Sequence, residues 1–83
     1  MNRKKLLRRL LEGNVANVAF ADLLALAQGF GFRPVRSVGS HHVLVCEAVR
    51  EILCLQEVQG QGKPYQIRQF LRIVERYALK LED

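Results

Sequence analysis

Apolar residues recur every three or four positions in three stretches of the chain, which is the spacing of one face of an α-helix. The first stretch covers residues 2–11, and its apolar residues are Leu6, Leu7, Leu10 and Leu11. The second covers residues 18–28 and is followed by Gly29, a plausible C-terminal cap. The third begins at Pro64, a residue well tolerated in the first turn of a helix, and extends to about Leu79. The pattern therefore predicts three helices.

Between the second and third of these stretches, the pattern changes to short runs rich in β-branched residues. The predicted strands are residues 32–36, 41–46 and 51–56. Pro34 is compatible with an edge strand or with the start of a strand, since proline cannot donate to a strand ladder. Turns are expected at Gly39-Ser40 and at Ala48-Val49, and residues 59–63 are interpreted as a flexible loop.

This order of elements predicts an α+β fold with a three-stranded antiparallel sheet and helices packed on one face. The α-β-β-β-α order, with an extra helix in front, is shared by double-stranded-RNA-binding domains. A chain of 83 residues is expected to form a single domain. Within it, residues 1–14 form a basic amphipathic N-terminal helix and residues 18–80 form the core.

Charge narrows the choice of partners. Thirteen Lys and Arg against eight Asp and Glu give a net charge of +5, which favours a polyanion such as nucleic acid. The sequence shows no signal peptide and no apolar stretch near the ~18 residues needed to span a bilayer, so we expect a cytoplasmic protein without a membrane partner.

Two basic faces have two interpretations each. The Lys and Arg residues around the first helix could dock on RNA or an acidic partner, or could simply be solvated while the leucines cover the core. The last helix has a basic residue every four positions, and these are Arg68, Arg72, Arg76 and Lys80. Like charges at this spacing repel, so an anionic ligand or a solvated face would each account for them.

His41 and His42 are the candidates for chemistry near neutral pH, and they follow the Gly39-Ser40 turn directly. Neighbouring residues of a strand face opposite ways, so at most one of them is well placed for a substrate. The turn offers backbone N–H groups to an anion, and Arg36, Arg33 and Lys63 lie in nearby predicted elements. RNA supplies its own 2′-hydroxyl nucleophile, so such a site could cleave it without a metal or cofactor.

A zinc site is the competing interpretation, and its possible ligands are His41, His42, Cys46 and Cys54. Their spacing argues against it because no Cys-x-x-Cys is present. A symmetric hairpin places Cys46 opposite Glu51 and Cys54 opposite Val43, so the two thiols do not meet. We therefore expect no metal, no disulfide and two buried, unreactive cysteines.

From Val18 to Asp83 the chain resembles the HicA toxins. The similar segments are Phe20-Ala21-Asp22-Leu23, Gly31-Phe32, Arg36, Gly39-Ser40-His41-His42, Leu55-Gln56 and Lys63-Pro64-Tyr65-Gln66-Ile67-Arg68-Gln69. The resemblance implies a double-stranded-RNA-binding-like fold, a metal-independent ribonuclease that cleaves mRNA, and a HicB-like antitoxin as partner. It also implies that the catalytic histidine is His41.

The sequence thus predicts a toxin ribonuclease in which His41 transfers the proton. The residues expected to support it or to bind RNA are Gly39, Ser40, His42, Arg36, Lys63, Arg68 and Arg72. The chain has Cys46-Glu47 where many HicA proteins have His-Pro, and Cys54 where asparagine often stands. The alternative is a noncatalytic RNA-binding or antitoxin-binding domain of the same fold.

Overall fold

The computed structural model describes residues 1–82, which form three helices and four strands. The helices are α1 (Arg3–Leu11), α2 (Phe20–Gly29) and α3 (Pro64–Arg76). The strands are β1 (Arg33–Val38), β2 (His41–Val45), β3 (Leu53–Val58) and β4 (Gln61–Gly62). They form one antiparallel sheet in the order β1-β2-β3-β4. The α+β class is confirmed, but the prediction of three strands was wrong because β4 adds a fourth.

The segment predicted as a flexible loop, residues 59–63, is a tight hairpin that contains β4. Gln59 and Gly60 have φ angles of +52° and +76°, a left-handed pair that turns the chain from β3 into β4. The hairpin is tied to the start of α2, since the Phe20 N–H donates to the Gly60 carbonyl and the Gly62 N–H to the Val18 carbonyl. β4 has only two residues, so it shows no alternation of apolar and polar positions. For this reason the sequence pattern did not predict it as a strand.

All three helices of the described chain end in the same hydrogen-bonding motif. In each, the residue two beyond the helix has a left-handed backbone, and these residues are Gly13, Gly31 and Ala78. Two backbone N–H groups bond back to the last turn, as in the Asn14-to-Arg9 and Leu79-to-Val74 bonds, which is the Schellman arrangement. The capping glycine of α2 is therefore Gly31 rather than Gly29, and α3 ends at Arg76, earlier than predicted.

The helices bury their apolar sides in a single core. Leu6 and Leu10 of α1 are buried, whereas Leu11 is 66% exposed. Arg3 Nε donates to the Ala25 carbonyl at 2.7 Å and so fastens α1 to α2. The fully buried centre of the core includes Leu23, Leu26, Leu44, Leu55, Ile67 and Phe70. The leucines of α1 thus contribute to the core, as one of the two interpretations of this helix expected.

The strand register agrees with the symmetric hairpin expected from the sequence, since Val43 lies opposite Cys54. Cys46 is buried near the Phe30 carbonyl, but Cys54 is exposed, so the prediction of two buried cysteines was wrong for Cys54. Cys54 lies between Leu53 and Leu55, both buried, and alternation along the strand turns it to the opposite face. Both thiols are free.

Candidate functional site

The register of the sheet places two rows of side chains on the face opposite the buried leucines. In one row Val38, His41 and Gln56 are cross-strand neighbours, and in the next row Arg36, Val43 and Cys54 are. The intervening residues of β2 and β3, such as Leu44 and Leu55, are buried on the helix side. We call the face that carries His41 the open face, because the buried residues of α2 and α3 pack against the opposite face of the sheet.

His41 is exposed at the end of the open face, where β2 begins. Gly39 in the preceding turn has a φ of +59°, a conformation that glycine adopts without strain. Within residues 1–82 no side chain forms a hydrogen bond or ion pair with the His41 imidazole. Both ring nitrogens are therefore available to a ligand, as a general acid or base requires.

The Gln56 side chain, directly across the strand pair from His41, connects two of the predicted site residues. Its Nε2 donates to Ser40 Oγ at 3.3 Å, and its Oε1 accepts from Lys63 Nζ at 3.1 Å. Lys63 is the residue before α3, so this contact brings a cation from the helix start to the side chain that faces His41. Gln56 is therefore a site residue that was not predicted from the sequence, where it stands out only as part of the similar segment Leu55-Gln56.

Gln66, in the first turn of α3, contacts the backbone of Gln56. Its Oε1 accepts from the Gln56 backbone N–H at 2.7 Å. That N–H points away from β2, since the neighbouring Glu57 N–H donates to the Ser40 carbonyl of the adjacent chain segment. The Gln66 side chain therefore satisfies this edge of β3 where its pairing with β4 ends. This contact explains why Gln66, at 7% exposed, is the buried polar residue of the described core.

His42, unlike His41, packs against other side chains of the protein. Its ring lies 4.6 Å from the Phe20 ring, centroid to centroid, and its Nε2 is 3.8 Å from Glu57 Oε1. The latter distance is too long for a hydrogen bond, so Phe20 is its close contact. The two histidines thus occupy opposite faces of β2, and His42 packs at the rim of the core.

The predicted basic residues are divided among different surfaces. Arg36 lies on the open face, one cross-strand row from His41. Arg68 lines a cleft with residues 13–17 and Pro64, on the side of the α1–α2 connection. Arg72 lines a groove of about 370 Å³ between β3 and α3. The structure therefore places Arg36 and Lys63 on the side of His41 and Arg68 on a different surface. Arg72 lines a groove that also includes Cys54 and Gln66.

The stripe of four basic residues expected on the last helix is interrupted. Arg76 Nη1 donates to Glu51 Oε2 at 2.5 Å, which lowers the pKa of the Glu51 carboxyl and raises the pKa of Arg76. Lys80 lies beyond the end of α3. Arg76 and Lys80 therefore do not belong to a continuous basic face of α3, and the charge of Arg76 is balanced by Glu51.

Among residues 1–82 no three His, Cys, Asp or Glu side chains are grouped closely enough to hold a metal ion. None of the helices described has the length and apolar character that would let it cross a membrane. No protein-family model, curated protein or solved structure matches the chain.

Proposed function

We propose that this protein is a HicA-type toxin, a cytoplasmic ribonuclease that cleaves mRNA without a metal and is blocked by a HicB-like antitoxin. The observation that supports it best is the exposed His41 imidazole beside Gln56, whose amide oxygen holds the Lys63 ammonium group. The net charge of +5 is consistent with a polyanionic substrate. The α-β-β-β-α order within the chain supports a double-stranded-RNA-binding-like fold, to which β4 is an addition.

In this proposal His41 acts as general base. Its unprotonated nitrogen takes the proton of a ribose 2′-hydroxyl, and the oxygen attacks the adjacent phosphorus. The bond from phosphorus to the 5′-oxygen breaks, and that oxygen takes a proton from solvent, leaving a cyclic 2′,3′-phosphate. Proton transfer of this kind contributes about 10²–10⁴-fold to the rate.

Positive charge on the phosphate is the second requirement, because negative charge builds up on its oxygens in the transition state. Lys63 is held beside Gln56, and Arg36 lies on the same face as His41. The Gly39-Ser40 turn adds backbone N–H groups and a hydroxyl that is oriented by Gln56. Arg68 and Arg72 would contact other parts of the RNA, or an antitoxin.

The test is cleavage of a labelled RNA by purified protein in the presence of a metal chelator. Wild type should cut, and the same strand with 2′-deoxyribose throughout should stay intact because it lacks the nucleophile. His41→Gln should reduce the rate at least ~100-fold, as expected for loss of a general base. Its unfolding temperature should remain close to that of wild type, since the His41 side chain is exposed.

His42→Gln is the matched control. It should still cut RNA but unfold at a lower temperature, because the ring contact with Phe20 is lost. Cleavage that persists in His41→Gln would refute the assigned role of His41. Wild type that binds RNA or a HicB-like protein but does not cut would instead favour the noncatalytic alternative.

A further inference from the structure

Tyr65 differs from every other aromatic residue in the described chain. The four phenylalanines are buried, and Tyr77 is partly buried against the core. Tyr65 is 50% exposed, in the first turn of α3. Aromatic rings on a surface are common where a protein contacts a flat, partly apolar ligand, because they bury large area with little loss of side-chain freedom.

The Tyr65 side chain contacts two residues of the candidate site. Its hydroxyl accepts a hydrogen bond from Gln66 Nε2 at 3.4 Å, and Gln66 is itself fixed by Gln56. The Lys63 ammonium group lies 5.4 Å from the ring centroid, within the range of a cation–π contact. The same ammonium group is bonded to Gln56, the cross-strand neighbour of His41. A ring, a cation and the candidate general base therefore form one continuous surface.

The remainder of that surface also combines apolar and basic side chains. Val38, the cross-strand neighbour of His41 on the other side, is 59% exposed, and Arg36 lies in the adjacent row. A duplex presents mainly its phosphates and 2′-hydroxyls to a protein, because its bases are stacked inside. Exposed apolar and aromatic groups beside cations match unpaired bases instead, whose flat faces can stack on a ring.

We propose that Tyr65 is the stacking platform for one unpaired base of the substrate, whose neighbouring phosphate is bound by Lys63. The substrate class of this site is therefore single-stranded RNA, even though the order of elements is that of a duplex-binding fold. This inference rests on the RNA binding in the proposed function, and it is independent of whether the bound strand is cut.

The test uses 2′-O-methyl RNA, which has no free 2′-hydroxyl and so stays intact when bound. Binding of a labelled mixed-sequence strand is compared with binding of the same strand annealed to an unmodified RNA complement, which keeps the 2′-hydroxyls that a duplex-binding protein contacts. Tyr65→Ala should weaken single-strand binding about tenfold, the effect typical of losing one stacked base, whereas Tyr65→Phe should remain within about twofold of wild type. Duplex binding should be weaker and should not change in Tyr65→Ala.

A second readout reports the ring itself. The chain contains two tyrosines and no tryptophan, so its intrinsic fluorescence comes from Tyr65 and Tyr77. Single-stranded RNA should quench this emission in wild type and in Tyr77→Phe, but not in Tyr65→Phe. Circular dichroism of each variant checks that the fold is retained.

Single-strand binding that is equal in Tyr65→Ala and wild type, without quenching of Tyr65, would overturn the stacking proposal. If RNA cleavage persists in that case, the proposed function stands. Preference for the duplex would overturn the substrate class. Wild type that neither binds nor cuts RNA would overturn the proposed function and the stacking proposal together.

Discussion

The side-chain amide of Gln56 uses both of its ends, with the nitrogen on Ser40 and the oxygen on Lys63. Its backbone N–H is also occupied, by Gln66. At the scale of residues, the candidate site is thus a set of polar contacts centred on a side chain that has no acid–base chemistry of its own. Its contribution is to hold the Lys63 cation near His41.

Replacing Gln56 by methionine should remove the hydrogen bond that holds the Lys63 ammonium group, while the side chain keeps its length. Each of the two lost hydrogen bonds contributes roughly 0.5–1.5 kcal/mol, so the free energy of unfolding should fall by about 1–3 kcal/mol. If the proposed function holds, the RNA cleavage rate should fall by about tenfold or more, through weaker charge stabilisation at the phosphate. Urea unfolding and single-turnover cleavage measure the two effects.

Gln28→Met is the control for this variant, since Gln28 is exposed on α2 and distant from the open face. It should change neither quantity appreciably. A Gln56→Met protein that is less stable but cuts RNA at the wild-type rate would show that Gln56 is purely structural.

At the scale of elements, β4 is the part of the structure that joins the sheet to two helices. Its backbone pairs with β3 and with the segment before α2, and α3 begins two residues later. Gly62 makes this close approach possible, because a Cβ at this position would lie 2.6 Å from Leu23 Cδ2 and 3.5 Å from Ile67 Cδ1. Both of those residues are fully buried and have little room to move.

Gly62→Ala should therefore destabilise the protein by about 1–3 kcal/mol, the usual cost of overpacking a core. Urea denaturation followed by circular dichroism measures the loss. Gln61→Ala, at the exposed neighbouring position of β4, should stay within about 0.5 kcal/mol of wild type. If the two variants were equally stable, the close packing of β4 on Leu23 would be contradicted.

At the scale of the whole molecule, the net charge of +5 is spread over several surfaces rather than gathered on one. α1 has exposed basic residues such as Lys5 and Arg8, β1 has Arg33 and Arg36, and Arg76 is paired with Glu51. Only those on or beside the open face can contact the phosphates of an RNA bound at His41. A test of RNA binding should therefore distinguish the effect of where a cation lies from the effect of the total charge of the protein.

The salt dependence of single-stranded RNA binding makes this distinction. Each neutralised phosphate contributes about 0.7 to the slope of log affinity against log salt concentration for single strands. Contacts from Arg36 and Lys63 together predict a slope of about −1.4. Arg36→Gln should reduce its magnitude by about 0.7, as measured by fluorescence anisotropy at several salt concentrations.

Arg8→Gln removes the same charge from α1, away from the open face. Its slope should equal that of wild type. Equal reductions in the two variants would indicate that RNA binds by net charge alone, and not at the open face.

Much of the fold could be predicted from the sequence because it depends on local patterns. The apolar spacing of α1, the proline at the start of α3 and the alternation along β2 are each determined by residues close together in the chain. The symmetric hairpin also predicted that Val43 lies opposite Cys54, which the structure confirms. Opposite orientations of His41 and His42 follow from the same alternation.

Contacts between distant parts of the chain decided the rest. β4 exists because its backbone meets β3 and the segment before α2, and a two-residue strand has no periodicity to read. Cys54 is exposed because the helices cover only the other face of β3. The packing of α3 decided that Lys63 meets Gln56 and that Arg72 lines the groove beside β3. It also decided that Arg68 lies in a separate cleft on the side of the α1–α2 connection. Local patterns in the sequence were therefore enough to predict the three helices and three of the four strands, and to single out the two histidines as candidates for chemistry. Packing between elements settled which side chains share a surface, because that depends on distances that no local pattern encodes.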